Sequence, residues 1–523
     1  MQFRQGLILA AIAAGIGGCG GGDVNLNIST ADNSVDNSTT TTGSSNNPCA
    51  FYTDPASNTE RRGSFDGTNC TYPSSFVGAT NPLTVDLTIP FISGVHIFQD
   101  SLFVGQNVTS GAAPASGTGP TLTIEAGNKL AFSNAGDYLL VNRGSRIIAD
   151  GSPTAPITFT GFTDVVTRTA GPEDVQLWGG VVLNGNGITN NCTDSERTSN
   201  QCHVVSEGKP SNYGGNDNGD DSGILRYVII KHAGFEVAPG DELNGLTLNA
   251  VGSGTTIENI EIYSAYDDGV EFFGGAANVT NLIALYARDD SIDFSDGYVG
   301  RVDHALVIHS ATNGNRCIEG DNIGAGRSDA GQAMDLTPQS NPTITNLTCI
   351  TSNFDAGTHG DSEGPLLRQG ALAQIADSIV YGGYGTSKLG YNSNECLEIE
   401  SDVSLAAAQA GDSTFTNSII ACSEATKGSL PNGDTVGQWV TDSATYTNNT
   451  GNTIITDAAN ANVSLLEPGT FYTATTLTDA AGAAITVAPV SGQLGAVTRA
   501  NDWTAGWAFG LRAGNRAEPL WFE

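Results

Sequence analysis

Residues 266–275 read YDDGVEFFGG, and residues 288–297 read RDDSIDFSDG. Each copy carries an acidic pair, a small residue and an apolar–acid–Phe strand, and the copies lie 22 positions apart. A fixed period in the range of 20–50 residues marks a chain built from stacked units that share one continuous core. Side chains of a strand alternate between its faces. Val270 and Phe272 therefore share one side with Ile292 and Phe294, and that side is the core. Glu271 and Asp293 share the other side, one above the next.

The pattern extends outward from this pair. LRYVIIKHAG…NGLTLNAVG, TIENIEIYSAYDDGVEFFGG, NVTNLIALYARDDSIDFSDG and RVDHALVIHSATNGNRCIEGDN align over 224–320. Each has a strand ending in an aliphatic triplet, a polar corner and a second short strand. PTITNLTCITSN, ALAQIADSIVYG and STFTNSIIACSEA add further coils. A step of about 22 residues suits one turn of a three-sided solenoid, so the predicted fold is all-β, a single parallel β-helix. A β-sandwich or propeller is the alternative, but its antiparallel hairpins would leave Asn-Gly turns at shorter spacing. The alignment places Thr247 below Glu271 and Glu319 above Asp293, with Glu398 of CLEIE further along.

The chain has 523 residues with 55 acids against 21 bases, a formal charge of −34. Such a surface repels nucleic-acid phosphate, so no nucleic-acid partner is expected. The first 22 residues, MQFRQGLILAAIAAGIGGCGGG, combine Arg4, an apolar run from Leu7 to Ile16 and small residues up to Cys19. The run is too short to span a bilayer and reads as a removable export signal over 1–18. GIGGC resembles a bacterial lipobox, which implies lipidation of Cys19, and Gly20 after it implies sorting to the outer membrane. Residues 19–48 are nearly free of large apolar groups and read as the lipidated Cys and a flexible tether.

The β-helix body is expected over 49–500, with insertions near 188–222 and 322–340. The Trp-rich end, 501–523, carries Trp503, Trp507 and Trp521 and is expected to cap the last coil, since an exposed edge strand invites aggregation. Eight further cysteines remain: Cys49, Cys70, Cys192, Cys202, Cys317, Cys349, Cys396 and Cys422. An even number in an exported chain reads as disulfides. Sequential pairing closes only short loops and suits neighbouring coils, although the spacing alone leaves the connectivity open.

Stacked carboxylates about 4.8 Å apart repel, so Glu271, Asp293 and Glu319 need a cation, raised pKa values or nearby bases. Arg288, Arg301, Arg316, His304 and His309 are the bases at hand, and Arg288 joins the acids as a candidate ligand-binding residue. The corner pairs Asp267/Asp268 and Asp289/Asp290 have a plain explanation in turn chemistry, which Asn244 at the equivalent place in LNGLTL supports. GGNDNGDDSG (214–223) offers Asp217, Asn218, Asp220 and Asp221 as a Ca²⁺ loop, although without EF-hand spacing.

Three resemblances bear on function. SRIIADGSPTAPITFTGF resembles a phrase common in bacterial right-handed parallel β-helices. The order WGG…YGGNDNGDDSGILRY…GDELNGLTL…DDGVEFFGG…DDSIDF…IEGDN is similar to a family of exported pectin-lyase-like β-helix lipoproteins of unassigned activity. YDDGVEF followed by RDDSIDF is similar to the aspartate motifs of polygalacturonase-type glycoside hydrolases. The last resemblance implies Asp268, Asp289 and Asp290 as catalytic acids of an inverting hydrolase. The His motif expected on the next coil is replaced by NGNRCIEG, and THG at 358–360 lies further on. A β-helix lyase would need a base such as Lys231 or Arg288, and so acidic a surface fits a polyanion poorly. The sequence therefore supports an anchored binding or scaffold protein for carbohydrate or a protein partner, with a polysaccharide-cleaving enzyme as the alternative.

Overall fold

In the computed structural model, which describes residues 47–208, 211–353, 360–383, 394–458 and 460–523, the repeats stack as parallel strands. Cys19 and the rest of the first 46 residues, with the proposed signal and most of the tether, lie outside the described residues, as does His359. Residues from Asn47 onward form one compact unit. Among the described residues no helix is long and apolar enough to cross a membrane.

One coil shows how the sequence builds the body. The long strand Thr256–Tyr263 pairs in parallel with Gly223–Lys231 before it and Asn278–Leu285 after it, then Arg301–Ile308 and Thr343–Ile350 follow. Each long strand bends at one residue in the left-handed region: Tyr227, Asn259, Asn281, His304 and Asn346, with φ between 50° and 61°. Asp377 and Asn417 continue the column. A left-handed conformation costs an L-residue about 1–2 kcal/mol, least for Asn and Asp, whose short polar side chains bond locally. Asn281 Nδ2 donates to Asn259 Oδ1 at 3.0 Å, so the corner is also stitched between coils. The bend turns one strand into two walls of the solenoid.

A third wall comes from short strands in the order Leu102–Val104, Tyr138–Val141, Gly180–Asn184, Leu246–Asn249, Val270–Phe273, Ile292–Ser295, Glu319–Gly320, Leu366–Leu367 and Glu398–Ile399. Inward residues of all three walls form one core, with Tyr72, Phe98, Phe132 and Trp178 stacked along the axis at centroid distances of 4.6, 5.6 and 4.8 Å. The fold is the predicted parallel β-helix.

The cysteines pair sequentially as Cys49–Cys70, Cys192–Cys202, Cys317–Cys349 and Cys396–Cys422. Cys317–Cys349 and Cys396–Cys422 lie within the core and tie one wall to another.

The C-terminal segment departs from expectation. Trp439, Val440 and Tyr446, on and just after the helix Val436–Thr441, belong to the core at that end. Residues 494–522 instead run along a flank, where a second apolar cluster joins Trp507, Leu511 and Phe522 to Ile229, Tyr263, Leu285 and Ile308. The reason is visible in the strands. After the corner, Leu282–Leu285 and Ala305–Ile308 are apolar on both faces, and strands that read so need a cover on each side.

Candidate functional site

The short-strand wall carries the acids. Register pairs Thr247 with Glu271, Glu271 with Asp293 and Asp293 with Glu319, as the sequence predicts. Leu366 then intervenes before Glu398. Val270, Phe272, Ile292 and Phe294 fill the core and leave the acids on the outer side.

The corner acids hold coils together. Asn244 Oδ1 accepts the Asp268 N–H at 3.1 Å, Asp268 Oδ1 accepts the Asp290 N–H at 2.9 Å, and Asp290 Oδ1 accepts the Arg316 N–H at 2.7 Å. These bonds step 24, 22 and 26 residues along the chain. The turn explanation is thus right in kind but not in reach: each carboxylate serves the backbone of the next coil, not its own turn. Asp289 Oδ1 is taken by Asn315 Nδ2 at 2.7 Å.

Most of these acids are buried, and Asp293 is half-buried. Glu271, Asp268 and Asp290 are 7%, 5% and 4% exposed. Both insertions fold over this side of the wall. Tyr213 of the first insertion lies 6.4 Å from Phe273, and Asn190 N–H donates to Asp296 O at 2.9 Å. Arg327 of the second insertion pairs with Asp296 at 2.6 Å and bonds Asn190 Oδ1 at 3.0 Å. The sequence places insertions on a binding face; here they become its roof.

Burial dominates the electrostatics. Asp268, Glu271, Asp290 and Asp293 all have pKa values pushed well above the carboxylate range, first by desolvation and then by neighbouring acids. Glu207, in the first insertion, is pushed up to about 8 by burial, then by Asp241, Glu242 and Asp296. Glu319 rises to about 7 through burial, against the pull of Arg368. The carboxylates come close: Asp267, Asp268 and Asp289 form one triad, Asp268, Glu271 and Asp293 a second, and Asp290, Asp293 and Glu319 a third. In each triad an oxygen from every member lies within 4.8 Å of the others.

The expected bases are mostly elsewhere. Arg301 and His304 pair with Asp303 on another wall, and His309 is buried against Ser362. Arg288 donates to Glu173 O at 3.1 Å and does not join the acids. Arg316 pairs with Glu363 and Glu398. The base that meets the column is Arg368, on Glu319 and Asp321. Nothing in the repeat marks Arg368, because an irregular coil separates Glu319 from its register partner Leu366. Among the described residues Asp268, Glu271, Asp290 and Asp293 form no ion pair.

The 217–221 loop does not gather its oxygens. Asp217 Oδ1 accepts Gly219 N–H, Asn218 Oδ1 accepts Ile188 N–H, Asp220 Oδ1 accepts Ser116 Oγ–H, and Asp221 pairs with Arg146. Its side chains wire the first insertion to the body, and among the described residues no three acids there come close enough to share an ion.

Chemically, an inverting hydrolase holds its carboxyl groups about 6.5–9.5 Å apart to admit a water. Asp268 and Asp289 have oxygens within 4.8 Å, and Asp268 and Asp290 are buried and bound to backbone. The bonds of Asp268 and Asp290 to the next coil join the coils of this wall. A family model described as a pectate-lyase-like beta helix domain matches residues 112–508. No curated protein and no solved structure matches the chain.

Proposed function

Given that the chain belongs to the pectate-lyase-like β-helix family, we propose that it is an exported scaffold and binding protein, not a polysaccharide-cleaving enzyme. The observation that carries the reading is the state of the repeated acids. Asp268 and Asp290 are buried and spend an oxygen on the next coil's backbone, beneath insertions that close the wall. A polymer substrate needs an open groove, whereas here both insertions lie over this side of the wall.

The signal and the lipobox at Cys19 support a lipid anchor in the outer membrane, with the acidic body held on the 19–48 tether. The ligand of such a body is carbohydrate or a protein partner. A glycan array and a polysaccharide-depolymerisation screen of the unit from Asn47 onward test the reading. Binding without release of reducing ends is the expected result. Cleavage that disappears in Asp289→Asn would establish the hydrolase instead. Cys19→Ser should move the full chain out of membrane fractions, and its retention there would remove the anchor from the account.

A further inference from the structure

We propose that Lys231 and Asp164 close into an amide cross-link, Nζ to Cγ, with loss of one water. The reacting groups are already in contact. Lys231 Nζ lies 2.9 Å from Asp164 Oδ2 and 3.1 Å from Oδ1. Both side chains are sheltered, at 9% and 14% exposed. The Phe509 ring of the C-terminal segment lies over the amine, with its centroid 3.9 Å from Nζ. Asp164 follows the strand Ile157–Gly161, which pairs with Gly223–Lys231. Two rungs of one wall therefore hold amine and carboxyl in a single geometry. Groups so oriented react as if at effective concentrations on the order of 10⁵ M or more. Lys427 meets Glu398 at 2.6 Å, but it stands half in solvent, where water competes for both charges.

The surrounding groups fit each proton movement. His232 Nδ1 faces the Asp174 carbonyl, which can only accept, so Nδ1 carries the ring proton and Nε2 is the bare nitrogen. That nitrogen lies 3.8 Å from Asp164 Oδ1. Burial, then the charge of Lys231, holds His232 below its usual range, so the ring is neutral. Thr160 Oγ1 donates to Asp164 Oδ2 at 2.8 Å. In the reaction the ammonium passes one proton to the carboxylate it touches, giving a neutral amine and a neutral acid. The amine attacks Cγ, and negative charge gathers on Oδ2, where Thr160 donates. His232 Nε2 takes a proton from the attacking nitrogen and returns it to Oδ1, which leaves as water. One C–N bond forms, one C–O bond breaks, and no outside reagent is needed. A sheltered ion pair, costly to desolvate, becomes a neutral amide. The cross-link stands or falls apart from the binding reading above.

The test is tryptic digestion and mass spectrometry of the purified full chain with its disulfides reduced. The expected product is one branched peptide joining Lys231 to Asp164, lighter by one water than the sum of its linear parts and uncut after Lys231. Lys231→Arg and Asp164→Ala should each abolish it. Asp164→Asn should regain it by losing ammonia in place of water, which an ion pair cannot do. His232→Gln should leave most of the freshly purified chain unlinked while it still melts cooperatively. Recovery from the unaltered chain of linear peptides alone, cut after an unmodified Lys231, would overturn the proposal. So would a branched peptide that persists in Lys231→Arg. Full linkage in His232→Gln would overturn the proton path.

Discussion

Asn259 and Asn281 show what a single residue contributes here. Each sits at a left-handed bend with φ of 57° and 61°, and the two side chains bond across coils at 3.0 Å. Replacing Asn281 with Ala keeps the backbone strain and removes the ladder bond. We expect a loss of about 1–2 kcal/mol in denaturant unfolding. Asn281→Gly, which relieves the strain, should lose less. Equal losses would mean that the bend is not what the Asn is for. The column was legible in part. IENIEI, VTNLIAL and ITNLTCI put Asn at one place in the repeat, but Tyr227 and His304 occupy the same bend. Position, not residue type, is what repeats, and only register reveals it.

The elements that cover the body were less legible. The three Trp of 501–523 suggested a cover for the last coil, and in the structure Trp507 packs on the flank with Tyr263 and Leu285. The clue lay in strands such as Ala305–Ile308, apolar on both faces, which a free flank could not leave bare. Glu261 fastens this cover. It is fully buried on the flank, and its Oε2 accepts the Phe509 N–H at 2.7 Å. Burial pushes its pKa up to about 8, against the weaker pull of Lys231 and Arg512. Those two bases are already paired with Asp164 and Asp502.

A raised acid pKa favours the folded state in its protonated form. The stabilisation is complete below about pH 4.5, the unfolded value, and is lost as pH rises towards about 8. Stability should therefore decline over that window by an amount on the order of a few kcal/mol. Glu261→Gln should flatten the part of the decline that comes from this site, read from melting curves at several pH values. Truncation after residue 500 should leave the far-ultraviolet signature of the β-helix while exposing Tyr263 and Leu285, read as dye binding and self-association. A truncated chain that stays monomeric and binds no dye would contradict the flank assignment.

At the scale of the whole molecule, the 22-residue interval carried the fold, the acid register and the inward apolar set from sequence alone. What it could not carry was the roof. The insertions have no repeat of their own, and their contacts with Asp296 come from Asn190, Asn191 and Arg327, far apart in the chain. The cross-wall disulfides should matter for the same long-range reason. Cys317→Ser with Cys349→Ser should lower stability by about 2–4 kcal/mol, and a null effect would mean that the coils are already fully constrained.

The central claim is that the corner acids join coils, so that the acceptor oxygen matters and the charge does not. Asn244 already fills this role without charge, accepting the Asp268 N–H. The most direct measurement is the difference in unfolding free energy between Asp290→Asn and Asp290→Ala. The Asn variant keeps an oxygen for the Arg316 N–H, and the Ala variant leaves that part-buried donor unmatched. The account predicts that Ala is less stable than Asn by about 1–3 kcal/mol. Equal stability of the two variants would contradict it.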